Sequence, residues 1–263
     1  MKSASGGESR DYSIRAVERV CDILDLLQGS PARVSLPEVA RATGLPKSSA
    51  FRYLVTLESR RYVDREPETG DYRLGLAFLP LQGRHHDLLA RRARPHLEHL
   101  SAQFDETVNL GLLDGTRVLY VDILESPKAV RLAARKGDRE LVHSTALGKA
   151  IAAWLPPERL QSILEVEGMP TLTERTVADP ETLADQLAEV RTRGYAVDDR
   201  ENEPDGRCIA VPLGQRVPAA LSLSAPVSRL PLHRLEEVAA ALTDAATKMA
   251  GDVGLPPPPD TSP

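Results

Sequence analysis

Residues 35–60 read SLPEVARATGLPKSSAFRYLVTLESR. Their spacing predicts two short helices with a tight turn between them. The first, about Ser35–Thr43, turns Leu36, Val39 and Ala40 inward. Gly44-Leu45-Pro46 makes the turn, and Pro46 suits the first turn of a new helix, where its missing N–H costs nothing. The second, about Lys47–Arg60, buries Ala50, Leu54 and Leu57. Tyr62–Arg65 and Asp71–Leu74 then alternate as two short strands around Pro67-Glu68-Thr69-Gly70, which is turn chemistry. Upstream, Ile14, Val17, Val20, Cys21, Leu24 and Leu27 put an apolar stripe on a helix at 13–28, with Ser13 as its N-cap and Gly29 as its stop. Helices joined by a glycine turn and followed by a hairpin describe a winged helix-turn-helix.

The outer face of the second helix carries Lys47, Ser48, Ser49, Arg52, Tyr53 and Thr56. Hydroxyls contact bases or phosphates, and a guanidinium makes a bidentate contact with guanine or pairs with phosphate. The 263-residue chain has a net charge of −5, which argues against a nucleic-acid partner only if the charge is evenly spread. It is not: Arg41, Lys47, Arg52, Arg60 and Arg61 face a single carboxylate, Glu58, within that stretch. Arg65 and Arg73 extend the basic surface onto the hairpin, and Arg15 can reach phosphate from the first helix. Glu66, Glu68 and Asp71 oppose deep insertion of the hairpin tip. A helical hairpin with a solvated polar face remains the simpler alternative. Within the helix, Tyr53 can equally be half-buried packing and Ser49 merely a small helix residue.

Other classes fall away on composition. Hydrophobic residues make up 41% of the chain, enough for real cores. No apolar run approaches a membrane span, and the polar N-terminus is not a secretory signal. Two cysteines make no disulfide framework and fit a reduced, cytoplasmic protein.

Beyond the hairpin, residues Leu76–Gln103 read as helical, with Pro80, Gly83 and Pro95 expected to break them into two or more pieces. Strands are expected at Val108–Leu113, Val118–Leu124 and Val130–Ala133, helices at Ala146–Leu155, Pro157–Val166 and Pro180–Arg193. Strands return at Tyr195–Asp199, Cys208–Leu213 and Ala219–Ser224, before a final helix at Leu232–Asp252. The fold class is therefore α+β. Its parts are a polar tail at 1–11, a winged helix-turn-helix at 12–74, a helical linker at 75–92, an α+β domain with a mainly antiparallel sheet at 93–253, and a Pro-rich tail at 254–263.

Three features of the second domain carry chemistry. His143–Ile151 place small residues at the start of a helix, whose free N–H groups favour an anion; an ordinary capped helix explains them as well. It is not a nucleotide-binding loop, since Lys149 follows a single glycine and no Ser or Thr comes next. Ser222 and Ser224 share one side of a strand, opposite Leu221 and Leu223, and need partners: a polar ligand, water or backbone. Asp198 and Asp199 end another strand, ahead of a loop, Asn202-Glu203-Pro204-Asp205-Gly206-Arg207-Cys208, that enters the next. A Cys208–His143 nucleophile pair would make the protein a metabolite-processing enzyme with an N-terminal dimerisation domain. No oxyanion-hole motif or third group supports that pair, and no catalytic residue is assigned. His96 and His99 have zinc-like spacing but no further ligand, so no metal and no cofactor is expected.

Ser13-Ile14-Arg15-Ala16-Val17-Glu18-Arg19 with Ile23-Leu24, Leu45-Pro46-Lys47-Ser48-Ser49-Ala50-Phe51-Arg52-Tyr53-Leu54 and Tyr72-Arg73-Leu74-Gly75 together resemble the IclR family of bacterial transcription regulators. The resemblance covers all but the tails. It implies a DNA reader at the N-terminus and a GAF-like domain that binds a small-molecule effector. On this chain the DNA-binding residues become Arg15, Pro46, Lys47, Ser48, Ser49, Arg52, Tyr53, Thr56, Arg65 and Arg73. The pocket residues become Ala146, Leu147, Gly148, Asp198, Cys208, Ser222 and Ser224, with Asn109 beside them. Leu147 is bulkier than the residue of carboxylate-binding members. The implied partners are palindromic double-stranded operator DNA, a small organic or aromatic acid, and a second copy of the chain, as homodimer or dimer of dimers; a membrane is not among them.

Overall fold

The computed structural model describes residues 14–30, 33–214 and 218–252, with backbone alone for 79–85. Ser13, expected as an N-cap, and both expected tails lie outside these residues. The chain divides into two compact units, Met1–Gly83 and Arg84–Pro263.

The first unit contains α1 (Arg15–Gly29), α2 (Leu36–Ala42), α3 (Lys47–Ser59), β1 (Val63–Arg65) and β2 (Tyr72–Leu74). Ser35 caps α2 reciprocally with Glu38, whose carboxylate accepts from the Ser35 N–H at 2.8 Å. Gly44 follows with φ +64°, the left-handed conformation that a non-glycine residue rarely adopts. β1 and β2 pair antiparallel, and Val34 bridges to Tyr72 from the other side. Val39, Ala50, Leu54, Val63 and Tyr72 form the core with Ile23 and Leu27 of α1. Gly75 closes the wing: a Cβ there would collide with the Arg61 carbonyl.

The stripe on α1 has the right period, but burial starts late. Residues 14–19 are all exposed, Ile14 by 66% and Val17 by 55%, and Cys21 is exposed too. The buried positions are Ile23 and Leu27, with Val20, Leu24 and Leu26 half-covered. The helix runs through Gly29 and ends at Ser30.

The second unit is a six-stranded antiparallel sheet in the order β5-β4-β3-β8-β7-β6. Its strands are β3 (Thr107–Asp114), β4 (Arg117–Leu124), β5 (Arg139–Glu140), β6 (Ala196–Asp199), β7 (Gly206–Pro212) and β8 (Ala219–Pro226). One face, with Leu110, Ile209, Val211, Leu221 and Leu223, packs on Leu97 and Leu100 of α4 (Leu79–Phe104) and on Leu242 and Met249 of α8 (Leu235–Asp252). The other face presents Val118, Ala196, Ala210 and Ala220 to α5 (Ala146–Ala152), with α6 (Pro157–Glu167) and α7 (Pro180–Arg193) in the same cluster. Both faces are covered, so β7 and β8 are buried almost throughout.

Two expectations are corrected. The helical segment is not broken at Pro80, Gly83 or Pro95: a short 3₁₀ turn (Leu76–Phe78) leads into one 26-residue helix with Pro95 inside. An interior proline costs about 3 kcal/mol. Burying Ala90, Ala93, Leu97 and Leu100 outweighs that, at about 1.5–3 kcal/mol for each leucine alone. Val130–Ala133 is not a strand; the edge partner of β4 is Arg139–Glu140, paired with Leu119 and Val118.

Candidate DNA interface and effector pocket

α3 leaves Lys47, Ser48, Arg52 and Thr56 exposed, while Ser49 and Tyr53 are half-buried. Tyr53 packs against the core of its unit, so its ring is largely spoken for. Thr56 Oγ1 donates to the Arg52 carbonyl at 2.8 Å, which turns its hydroxyl back along the helix. Among the described residues no carboxylate pairs with Lys47, Arg52, Arg60 or Arg61. Exposed cations without a carboxylate partner are ready to neutralise phosphates. Pro46 is exposed as the residue preceding α3, and Arg15 is exposed in the first turn of α1.

The wing cations differ from each other. Arg65 Nε donates to the Gly70 carbonyl at 3.3 Å and its guanidinium lies 5.7 Å from the Tyr72 ring centroid, so it braces the hairpin turn. Arg73 is exposed, with Asp64 at 3.9 Å. Sequence reading missed Phe51 and Val55, exposed by 41% and 42% one helical turn apart, a surface suited to thymine methyl groups. It also missed Arg19, which ties α1 to the end of α2 by donating to the Thr43 carbonyl at 3.0 Å.

In the second unit the register brings the expected pocket residues together. Asp198 lies opposite Cys208, Cys208 opposite Ser224, and Ser224 opposite Thr107. One step along, Ser222 lies opposite Asn109. Asn109 Nδ2 donates to Ser222 Oγ at 3.0 Å and to Ser224 Oγ at 3.1 Å. A polar row thus crosses β3, β8, β7 and β6 on the face that α5 covers. Asp198 Oδ1 accepts from the Glu201 and Asn202 amides at 2.7 and 3.2 Å, yet burial pushes its carboxyl up to about 7. Burial also raises the Cys208 thiol well above its ordinary value, with Asp198 adding to the effect.

α5 is buried along its whole length. Thr145 caps it, its hydroxyl accepting from the Gly148 N–H at 3.1 Å. The close approach that Gly148 permits is to the chain at Val142, whose carbonyl a Cβ would strike. Leu147 fills the space left by Gly111, where a Cβ would stand 2.9 Å from Leu147 Cδ1. Ala146 is buried beside it. Lys149, 1% exposed, forms an ion pair with the buried Glu201. Desolvation lowers the Lys149 pKa, and the Glu201 charge opposes that shift. Ser144 Oγ donates to Asn202 Oδ1 at 3.2 Å, tying the approach to α5 to the loop after β6.

The nucleophile-pair alternative finds no support. His143 Nε2 faces the Pro170 carbonyl at 3.2 Å, and burial lowers its pKa. A thiol pushed up by burial beside a carboxyl is a poor thiolate source. His96 Nε2 lies 2.9 Å from Asp252 in an ion-pair geometry. Sequence reading missed Tyr120 and Glu201, while Asn202 lies in the loop it singled out before Cys208. Tyr120 is brought into line by the bulge at Leu110/Gly111, and no spacing rule signals a bulge.

A winged helix with a cationic reading face, followed by an α+β domain with a polar row under a buried helix, defines a DNA-binding transcription regulator with a C-terminal effector domain. The comparisons agree. The family model described as "Bacterial transcriptional regulator IclR C-terminal" matches residues 84–250, and the IclR helix-turn-helix domain matches 16–67. The chain belongs to the IclR family. It is 36% identical to the HTH-type transcriptional regulator XynR of Escherichia coli K12, over 92% of this chain and 98% of that one. It is 34% identical to the HTH-type transcriptional regulator BhcR of Paracoccus denitrificans, over 95% and 91%. Among solved structures, the Thermotoga maritima IclR superposes with a TM-score of 0.61 at 28% identity, covering 92% of this chain and all of that one. An IclR homologue from Microbacterium hydrocarbonoxydans in complex with 4-hydroxybenzoate gives 0.60 at 27% identity, covering 90% and 98%. Among the described residues no helix is long and apolar enough to cross a membrane.

Proposed function

We propose that this regulator reads a palindromic operator through Lys47, Ser48, Ser49 and Arg52 of α3, with Pro46, Tyr53 and Thr56 shaping that face and Arg15, Arg65 and Arg73 placing the backbone. The single observation that carries the reading is that Lys47 and Arg52 of α3 stand exposed, with no carboxylate partner among the described residues, in an acidic chain. The reader occupies 12–74, the linker 75–92 and the effector domain 93–253. The protein works in the cytoplasm as a homodimer or dimer of dimers, performs no catalytic step, and represses, as two relatives do by name. A symmetric dimer presents α3 to half-sites ~34 Å apart or a multiple of it.

The effector, a small organic or aromatic acid, binds on the row Asn109, Ser222, Ser224, Cys208 and Asp198, with Ala146, Leu147 and Gly148 of α5 over it. Control of operator binding requires the ligand to prefer one of two arrangements of the protein. The test is separability. Arg52→Ala weakens operator binding, by about 1–3 kcal/mol if it contacts guanine, and leaves effector binding intact. Ser222→Ala with Ser224→Ala does the reverse. Loss of both activities in both folded variants, measured by gel shift and calorimetry, rejects the assignment.

A further inference from the structure

α3 carries two apolar stripes. Ala50, Leu54 and Leu57 are buried in the core of the first unit and account for its packing there. Phe51 and Val55, one helical turn apart, make a second stripe, which is exposed and joins no core. Tyr62, also exposed, has the Phe78 ring 5.3 Å away; among the described residues Phe51 has no aromatic or cationic partner. The second stripe adds little to the fold, so its use lies outside the unit. Its place on the helix says what covers it. Phe51 stands four residues after Lys47 and three after Ser48, and Val55 stands four after Phe51 and three after Arg52. Residues three and four apart are surface neighbours on a helix. The apolar pair is therefore flanked by Lys47, Ser48 and Arg52, all exposed. A face that presents those three to DNA presents Phe51 and Val55 to it as well. A symmetric contact with a second copy would instead set Lys47 and Arg52 against like charges.

We propose that Phe51 and Val55 select thymine by its methyl group in each half-site, within about two base pairs of the base that Arg52 contacts. In the major groove the C5 methyl of thymine is the apolar group that a base edge offers. Hydrogen-bonding side chains make no use of it, whereas a phenyl ring or an isopropyl group laid against it removes apolar surface from water on both sides. The spacing follows from the helix: one turn advances about 5.4 Å, and successive base pairs rise about 3.4 Å. Arg52 and the apolar pair thus divide the reading between them, one by hydrogen bonds and the other by shape. The inference rests on the reading of α3 as the element that contacts the operator.

In the experiment the full chain first enriches a binding site from a random duplex pool. Uracil then replaces each thymine of that site in turn, which removes one methyl group and leaves every base-pair hydrogen bond in place, and binding is followed by fluorescence anisotropy. At one or two thymines in each half-site the parent is expected to bind the uracil duplex about fourfold more weakly, the worth of one buried methyl-sized group. Phe51→Ala with Val55→Ala binds the thymine and uracil duplexes alike at those positions. Phe51→Leu, which keeps an apolar contact and controls for folding, retains a preference for thymine. The proposal is overturned if no thymine methyl in the enriched site matters to the parent. It is overturned too if the alanine variant keeps the full preference, since the methyl then acts through DNA shape. A fall in the assembled mass of Phe51→Ala in sedimentation would make the pair a protein interface and overturn it as well. If Arg52→Ala weakens binding while uracil changes nothing, α3 remains the reader and this inference alone falls. If Arg52→Ala binds the site as tightly as the parent, the reading of α3 falls, and this inference with it.

Discussion

The two candidate sites are built on opposite principles. On α3 the chemistry is exposed, and Lys47 and Arg52 have no carboxylate partner among the described residues. In the second unit the chemistry is buried, and almost every group is already bonded, from Asn109 to the serines and from Asp198 to two backbone amides. An exposed cation loses little by waiting for its partner, because water solvates it. A buried polar group cannot wait, so a missing partner there stands out, as Asn109 Oδ1 does. The first site should therefore respond to salt, and the second to substitutions that strand a buried group.

Salt gives the largest effect. With roughly 6–10 phosphate contacts from the proposed dimer, operator affinity falls about 10³–10⁵-fold between 50 and 200 mM salt. Effector binding, enclosed under α5, changes far less. Fluorescence anisotropy on operator DNA and calorimetry of the effector measure the two slopes; equal slopes would erase the contrast between the sites.

The buried ion pair comes next. Lys149→Met strands the Glu201 carboxylate in a site 5% exposed, and breaking such a pair costs about 3–5 kcal/mol. Replacing both partners, Lys149→Met with Glu201→Leu, recovers most of the loss. A double variant no more stable than the single one in urea unfolding would show that the pair itself, not the stranded charge, holds α5 in place.

Asp198 sharpens the same point through pH. Its carboxyl is raised from 3.8 to about 7 in the folded state, chiefly by burial, with Glu201 adding to the rise and the Glu201 and Asn202 amides and Lys149 opposing it. The folded state therefore holds a proton that the unfolded chain releases, and the stability this group allows falls as pH rises from about 4 to about 7. Asp198→Asn keeps an oxygen for the two amides and loses the charge. Its Tm advantage over the parent is expected to grow from pH 5 to pH 8, at about 2–4 °C for each kcal/mol. An advantage that is flat with pH would show that Asp198 is ionised throughout.

The same contrast explains what the sequence could tell. Local patterns were legible: Gly44, Pro46 and the Ala50/Leu54/Leu57 spacing placed α2 and α3 within a residue or two, and Ser222-x-Ser224 put two hydroxyls on one face. What depends on long-range pairing was not. Val130–Ala133 alternates like a strand yet finds no partner, whereas Arg139–Glu140, too short to notice, pairs with β4. Pro95 reads locally as a break, and only the sheet behind α4 supplies the burial that overrides it. Gly148 sits in a small-residue helix start that reads as an anion site, and only the fold shows that the chain at Val142 packs against it.

The smallest expected effect isolates the first unit. Ser35 caps α2 through the reciprocal contact with Glu38, and Ser35→Ala removes the hydroxyl while keeping the Glu38 bond to the Ser35 N–H. Losing an N-cap hydroxyl costs about 1 kcal/mol. The cap sits at the start of α2, far in sequence from the polar row, so the loss belongs to the reader alone. Calorimetric unfolding should show a small drop confined to the transition of the N-terminal unit, and effector titration should be unchanged. Operator binding should weaken only as far as the reader is partly unfolded, so cooling restores it. A loss of operator affinity that persists on cooling would mean that α2 contributes contacts to DNA, and that the reading face is wider than α3 and the wing.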